Sequence, residues 1–255
     1  MAPAMSTDQM DDKTPRTPRM IPGVHNYCDR WCERCRFRTR CVVAVMHERL
    51  DAARARGQEL SSSEVLDELI PPYDGPPRPW LDEVIEAANR PPSEAEQREI
   101  ERQENELERR LAADALLLDA REYGTMAERI ARALTAELST RGDPVVLAAL
   151  EAIERQSLCI AAKTYRAVHG ELWDLIADYE DDDPAQSDHN GSAKITRLMV
   201  AESRECWAVL TQVGRATADG VPVKMIERLD RLDRDLAIRF PRAMEFTRPG
   251  FDDEP

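Results

Sequence analysis

Residues 145–179 read VVLAALEAIERQSLCIAAKTYRAVHGELWDLIADY, the longest amphipathic run in the chain. Val146, Leu150, Ile153 and Ile160 recur at helical spacing, and nothing in the run alternates as a half-buried strand would. Asp143-Pro144 stands just before it, a capping carboxylate followed by a proline whose missing N–H is harmless at the first helical position. Downstream, DYEDDDPAQSDHNGS (178–192) reads as an acidic surface loop. A second stripe follows on Ile195, Leu198, Met199, Cys206, Val209, Leu210 and Val213. Gly220 then precedes a last helix, PVKMIERLDRLDRDLAIRF (222–240).

Upstream, Ser93 and Glu96 have the spacing of a capping box. They open a polar helix that runs from SEAEQREIE (93–101) into LAADALLLDAREY (111–123), with another helix over roughly 124–139. Aromatic content is 5% and glycine is scarce at 10 residues, a profile that disfavours β-rich folds. The fold class expected is all-α, an antiparallel helical bundle over 93–240. Its core is expected to use Val146, Leu150, Ile153, Ile160, Leu175, Ile195, Leu198, Met199, Val209, Val213, Leu229 and Leu232. Residues 1–20 read as a disordered leader, 58–92 as short helices and a Pro-rich spacer, and 241–255 as an acidic tail.

Residues 21–57 carry the chemistry: a cysteine-rich loop followed by a helix from Val42 that Gly57 stops. Cys28, Cys32, Cys35 and Cys41 lie within fourteen residues, spaced C-x3-C-x2-C-x5-C, with His25 before them and His47 after. The remaining cysteines, Cys159 and Cys206, fall singly in helical patterns and read as buried thiols. MAPAMSTDQMDDK at the start has no apolar h-region, so a cytoplasmic location is expected. In that compartment clustered thiols hold metal rather than disulfides. Structural zinc commonly uses two C-x2-C knuckles; only Cys32 and Cys35 form one, so a zinc site would take the remaining cysteines with His25 or His47 as alternative ligands. A cubane needs one thiolate per iron, which four unevenly spaced cysteines on a short loop supply. A [4Fe–4S] cluster is therefore the expected cofactor, and zinc the alternative.

Cys32-x2-Cys35-x5-Cys41 is similar to the iron–sulfur loop of endonuclease III-type DNA glycosylases. It also resembles the cysteine loop of RecB-like nucleases, in which the spacer tends to carry an aromatic, as Phe37 does here. The resemblance implies a cluster on these cysteines and a possible link to nucleic-acid processing. Cys28, Cys32 and Cys35 also have the C-x3-C-x2-C spacing of radical-SAM enzymes, whose α/β barrel this chain has no strands to build.

Arg30, Arg34, Arg36, Arg38 and Arg40 interleave the cysteines. They suit either an anion-binding patch or the balancing of an anionic centre, and the second is expected. Trp31 and Phe37 are expected to shield it. The net charge of −14 opposes general binding to nucleic acid or anionic membranes, so nucleic acid could be met only through this arginine-rich loop, and a protein partner is expected. No apolar run is long enough to span a bilayer.

Catalytic chemistry lacks a sequence basis. Lysines stand only at 13, 163, 194 and 224, so the acid-x-Lys pattern of nucleases is met only by Asp11 and Lys13. No Glu-x-x-His supports a di-iron site, and Glu151, Glu154, Glu202 and Glu205 read as solvated or paired. There is no phosphate loop or nucleophile elbow. No catalytic residue is expected. The function expected is a metal-binding, [4Fe–4S]-binding module that serves a partner structurally, in electron transfer or as a redox sensor. Alternatives are a zinc-stabilised protein-interaction adaptor and an accessory subunit in nucleic-acid processing.

Overall fold

The computed structural model describes residues 20–70, 84–86, 89–138, 143–212 and 220–252. Within them the chain is all-α, with no strand. The leader through residue 19, the Pro-rich spacer, Val213 and the last three residues lie outside the described residues.

The helices begin where the local chemistry places them. Helix α1 (Val42–Ala55) is followed by Gly57 in the left-handed region at φ 69°. Helix α2 (Ser62–Leu69) starts on a capping box of Ser61 and Glu64, and α3 (Glu94–Ala113) on one of Ser93 and Glu96. Each box satisfies two N–H groups that the first helical turn leaves unpaired. Helix α5 (Pro144–Ala177) opens on Asp143, whose carboxylate accepts the Val145 N–H at 2.8 Å. Helix α7 (Val221–Arg239) follows Gly220 at φ 64°.

Two boundaries differ from the sequence reading. The break falls at Asp114, not near residue 124, and α4 runs unbroken over Ala115–Leu138. Asp114 has extended backbone, and its carboxylate accepts the Leu117 N–H at 3.1 Å, capping the new helix. Gly124 sits inside α4 because α5 passes close by: a Cβ there would lie 2.9 Å from the Ser157 carbonyl oxygen. Helix α6 (Asp188–Gln212) also starts earlier than expected. Ser187 Oγ accepts the Asn190 N–H at 3.3 Å, so HNGS belongs to the helix and not to the acidic loop.

Helices α4, α5, α6 and α7 enclose one apolar core. Helix α5 packs on α3, α4 and α6, and α7 touches both α6 and α4. Leu117, Leu150, Ile153, Ile160, Met199, Leu210, Leu229 and Leu232 are almost completely buried there. Leu198 and Val209 lie at its edge. Leu175 does not join it and is 65% exposed: Leu172 and Ile176 of the same turn face the core instead. Tyr123 and Trp207 are buried with their polar ends satisfied: Tyr123 Oη pairs with Ser203 Oγ at 2.7 Å, and Trp207 Nε1 donates to Tyr123 Oη at 3.2 Å. Arginines tie the helices at the rim, Arg228 of α7 to Asp119 and Glu122 of α4, and Arg197 of α6 to Asp233 of α7.

A smaller cluster of Ile21, Val24, Phe37, Cys41 and Ala44 forms a separate core under the cysteine loop. The segment after α7 does not leave as an acidic tail. Residues 241–252 return to this loop: Ala243 and Phe246 are buried, Phe251 meets Phe37 edge-on at 4.9 Å, and Lys194 of α6 holds Asp252 at 2.7 Å. Apolar side chains line the path; of the described acids, Glu245 pairs with Arg242 and Asp252 with Arg248 and Lys194.

Candidate metal centre

The loop is a series of tight turns, and the cysteines mark their ends. Gly23 adopts φ 72° and opens a 3-10 turn over Val24–Tyr27, after which Cys28 is extended. Arg30 turns the chain through the left-handed region at φ 61°. Cys32 begins the turn Cys32–Arg34, and the Cys35 N–H returns to the Cys32 carbonyl at 3.3 Å. The turn Arg38–Arg40 leads to Cys41, the residue just before α1. The Ile21 N–H donates to the Arg40 carbonyl at 2.9 Å and closes the loop on itself.

This path brings all four cysteines to the wall of one small cavity of about 20 Å³, together with His25, Asp29, Arg30, Trp31, Phe37, Arg38, Ala44 and Phe251. Burial raises the Cys28 and Cys32 thiols above their ordinary pKa. Cys28, Cys41 and Cys35 add to the effect on Cys32, so the sulfurs are electrostatic neighbours. Such thiols stay protonated until a metal displaces the proton. Among the described residues no group of three or more His, Cys, Asp or Glu side chains is arranged to hold a metal ion. The cysteines line one cavity, but their side chains are not drawn together on one point. Four thiols, with His25 beside them, are a donor set that either an iron–sulfur group or a zinc ion would accept.

The two alternative ligands separate. His25 lines the cavity, and its buried Nδ1 has no hydrogen-bond partner. Burial, then Arg30, Lys163 and Arg166, lower its pKa and hold the ring neutral, while its carbonyl accepts from the Cys28 thiol at 3.5 Å. His47 is exposed on α1 and is not brought to the cavity.

The arginines of the loop serve its docking. Arg34 lies 3.4 Å above the Trp31 ring and reaches Glu202 of α6 at 2.8 Å. Arg155 of α5 pairs with Glu33 at 2.6 Å and covers the same indole at 5.3 Å. Arg36 donates to the Gly250 and Phe251 carbonyls, each at 3.4 Å, and Arg38 pairs with Glu48. Trp31 is therefore occupied by guanidiniums, and Phe37 is buried, so neither offers a free face for a base. Glu154 pairs with Arg132 at 2.8 Å; with Glu202, two of the four bundle carboxylates considered from sequence are paired.

Three contributors escaped the sequence reading. Lys163 of α5 donates to the Asn26 carbonyl under the first turn. Cys159, one helical turn away, is partly buried and close enough to feel Cys28 and Lys163. Phe251 closes the cavity from the far end of the chain. All three contacts span more than a hundred residues, and no local pattern encodes them. Cys206, the other lone cysteine, is also only partly buried, near Glu202 and Arg34. No helix among the described residues is long and apolar enough to cross a membrane. Compared with known proteins, the chain matches no family model, no curated protein and no solved structure.

Proposed function

We propose that this chain is a [4Fe–4S]-binding protein in which Cys28, Cys32, Cys35 and Cys41 each ligate one iron, on a cysteine-rich loop docked against an antiparallel helical bundle. The observation that carries the reading is the single cavity walled by all four cysteines and otherwise largely by apolar side chains. Iron–sulfur groups are stabilised by such surroundings, which limit water and oxygen, and by nearby cations and N–H donors. The Arg30 backbone N–H directed at Cys28 is one such donor.

The bound group would supply one-electron chemistry or a rigid cross-link of the loop. The residues themselves position and shield it: Phe37 and Phe251 exclude water, and the Arg34–Trp31–Arg155 stack fastens the loop to α5 and α6. The role proposed is electron transfer, redox sensing or structure for a protein partner in the cytoplasm.

Anaerobic purification followed by iron and sulfide analysis tests this. About four of each per chain, with broad visible absorbance bleached by reductant, are expected. Stoichiometric zinc without sulfide would instead support the second reading, a zinc-stabilised interaction adaptor. Its specific support is the unpartnered Nδ1 of His25 inside the same cavity, which could complete a site with three of the cysteines. The accessory role in nucleic-acid processing has less behind it, because Arg34, Arg36 and Arg38 are engaged within the chain.

A further inference from the structure

Lys163 is only 6% exposed, although lysine is among the residue types least often buried. Its ammonium donates to the Asn26 carbonyl, two residues before Cys28. No carboxylate forms an ion pair with it among the described residues. The ionisable groups that act on it most strongly are the Cys159 and Cys28 thiols and two further cations, Arg30 and Arg166. Arg166 has its own carboxylate in Asp188 at 2.8 Å; Lys163 has no such anion among the described residues. A buried cation beside other cations is destabilised by desolvation and by repulsion, and is retained in folded proteins when an anion shares its site. One carbonyl dipole does not meet that need, whereas a thiolate centre next to Cys28 would.

Resting on the cluster reading, we propose that Lys163 is the built-in counter-cation of the cysteine centre: a positioning residue that ligates nothing and raises the reduction potential. Given one electron by an external reductant such as dithionite, the centre would gain one negative charge with no bond formed or broken. An ammonium held on the Asn26 carbonyl, two residues before Cys28, would favour the more negative state. Lys163 also ties the 24–27 turn to α5 through Asn26, so charge and anchorage must be separated. Lys163→Gln keeps a donor for the Asn26 carbonyl and removes the charge; Lys163→Arg keeps the charge.

The experiment is a potentiometric titration of the full-length chain, reconstituted anaerobically with iron and sulfide, as wild type and as each variant. With Lys163→Gln the reduced-to-oxidised ratio at the wild-type midpoint is expected to fall about tenfold, or about 59 mV for a one-electron couple. Lys163→Arg is expected to titrate close to wild type. Lys163→Met is the second neutral variant, and a shift in the same direction there supports the proposal. A midpoint unchanged in either neutral variant overturns it. So does loss of helical circular dichroism in both, which would make the lysine a structural anchor. A wild-type chain that takes up zinc and no iron removes the cluster reading itself, a result distinguishable from a loaded centre whose potential does not move.

Discussion

Gly191 shows how one residue joins three distant parts of the chain. It lies in the first turn of α6, against the rings of Tyr27 from the cysteine loop and Phe246 from the C-terminal segment, which meet at 4.5 Å. A Cβ on Gly191 would stand 2.7 Å from Phe246 Cζ, with the Tyr27 ring closer still. Alanine gains about 1 kcal/mol of helix propensity, but overpacking a rigid aromatic contact costs about 1–3 kcal/mol. Gly191→Ala is expected to loosen the loop and C-terminal segment without unfolding the bundle. Faster alkylation of the loop cysteines, with unchanged helical circular dichroism, is the measurement. Tyr123 carries a pH prediction. Burial pushes its phenol up to about 12, against about 10 in an unfolded chain. The neutral phenol therefore contributes its full stability below pH about 10. As pH rises from about 10 to about 12 the unfolded state sheds the proton first, and on the order of 2–3 kcal/mol is lost. Tyr123→Phe is expected to be less stable at neutral pH, because Ser203 and Trp207 lose a partner, and to show a shallower alkaline fall. A fall as steep as that of wild type in alkaline urea melts would contradict this. Sequence concealed Gly191 for a definite reason: HNGS has the composition of a turn, and only the aromatic rings from residues 27 and 246 explain why a glycine belongs in that helix.

At the scale of elements, what was legible was what neighbouring residues decide. The capping boxes at Ser61 and Ser93, the Asp143-Pro144 start, the glycine stop at 57 and the glycine before α7 at 220 involve partners within a few positions, and sequence shows both members. The break at Asp114 was missed because an extended aspartate between two helix-forming stretches leaves no strong mark, while Gly124 resembled one. The C-terminal segment was misread on composition: its acids suggested solvent, but Phe246 and Phe251 fix its course. Its return is also held by charge. Burial opposes ionisation of Asp252, yet hydrogen bonds from Arg248 and Lys194 hold its carboxyl well below the usual carboxylate range. A lowered carboxylate contributes its stability above the unfolded value of about 3.9 and loses it as pH falls below that, so this clasp persists at neutral pH. Phe251→Ala removes the edge-on contact with Phe37 and opens one wall of the cavity. Truncating a partly buried phenylalanine costs less than the about 3–5 kcal/mol of a fully buried one. The main expected effect is faster loss of iron to a chelator, measured beside a bundle whose thermal unfolding is little changed.

For the whole molecule, the question is whether the loop and the bundle are one cooperative unit. The apolar clusters are separate: one fills the space between α4, α5, α6 and α7, the other lies under the loop and the start of α1. What joins them is largely polar, including Arg34 to Glu202, Arg155 to Glu33 and Lys163 to Asn26, besides the aromatic contact of Tyr27 with Phe246. Exposed ion pairs contribute about 0–1 kcal/mol each, far less than burial of the bundle's Trp207, Leu150 and Ile160. The small core of five buried side chains cannot offset the chain entropy of more than twenty loop residues by itself, so the metal centre is expected to carry the folding of that region. Cys35→Ser removes one proposed ligand and is expected to abolish metal retention. It should expose Cys28, Cys32 and Cys41 to thiol reagents, while most of the helical circular dichroism and the cooperative melt of the bundle persist. If the variant instead loses its helices in one transition together with the loop, the two cores act as a single unit, and the cysteine loop holds up the bundle on which it rests.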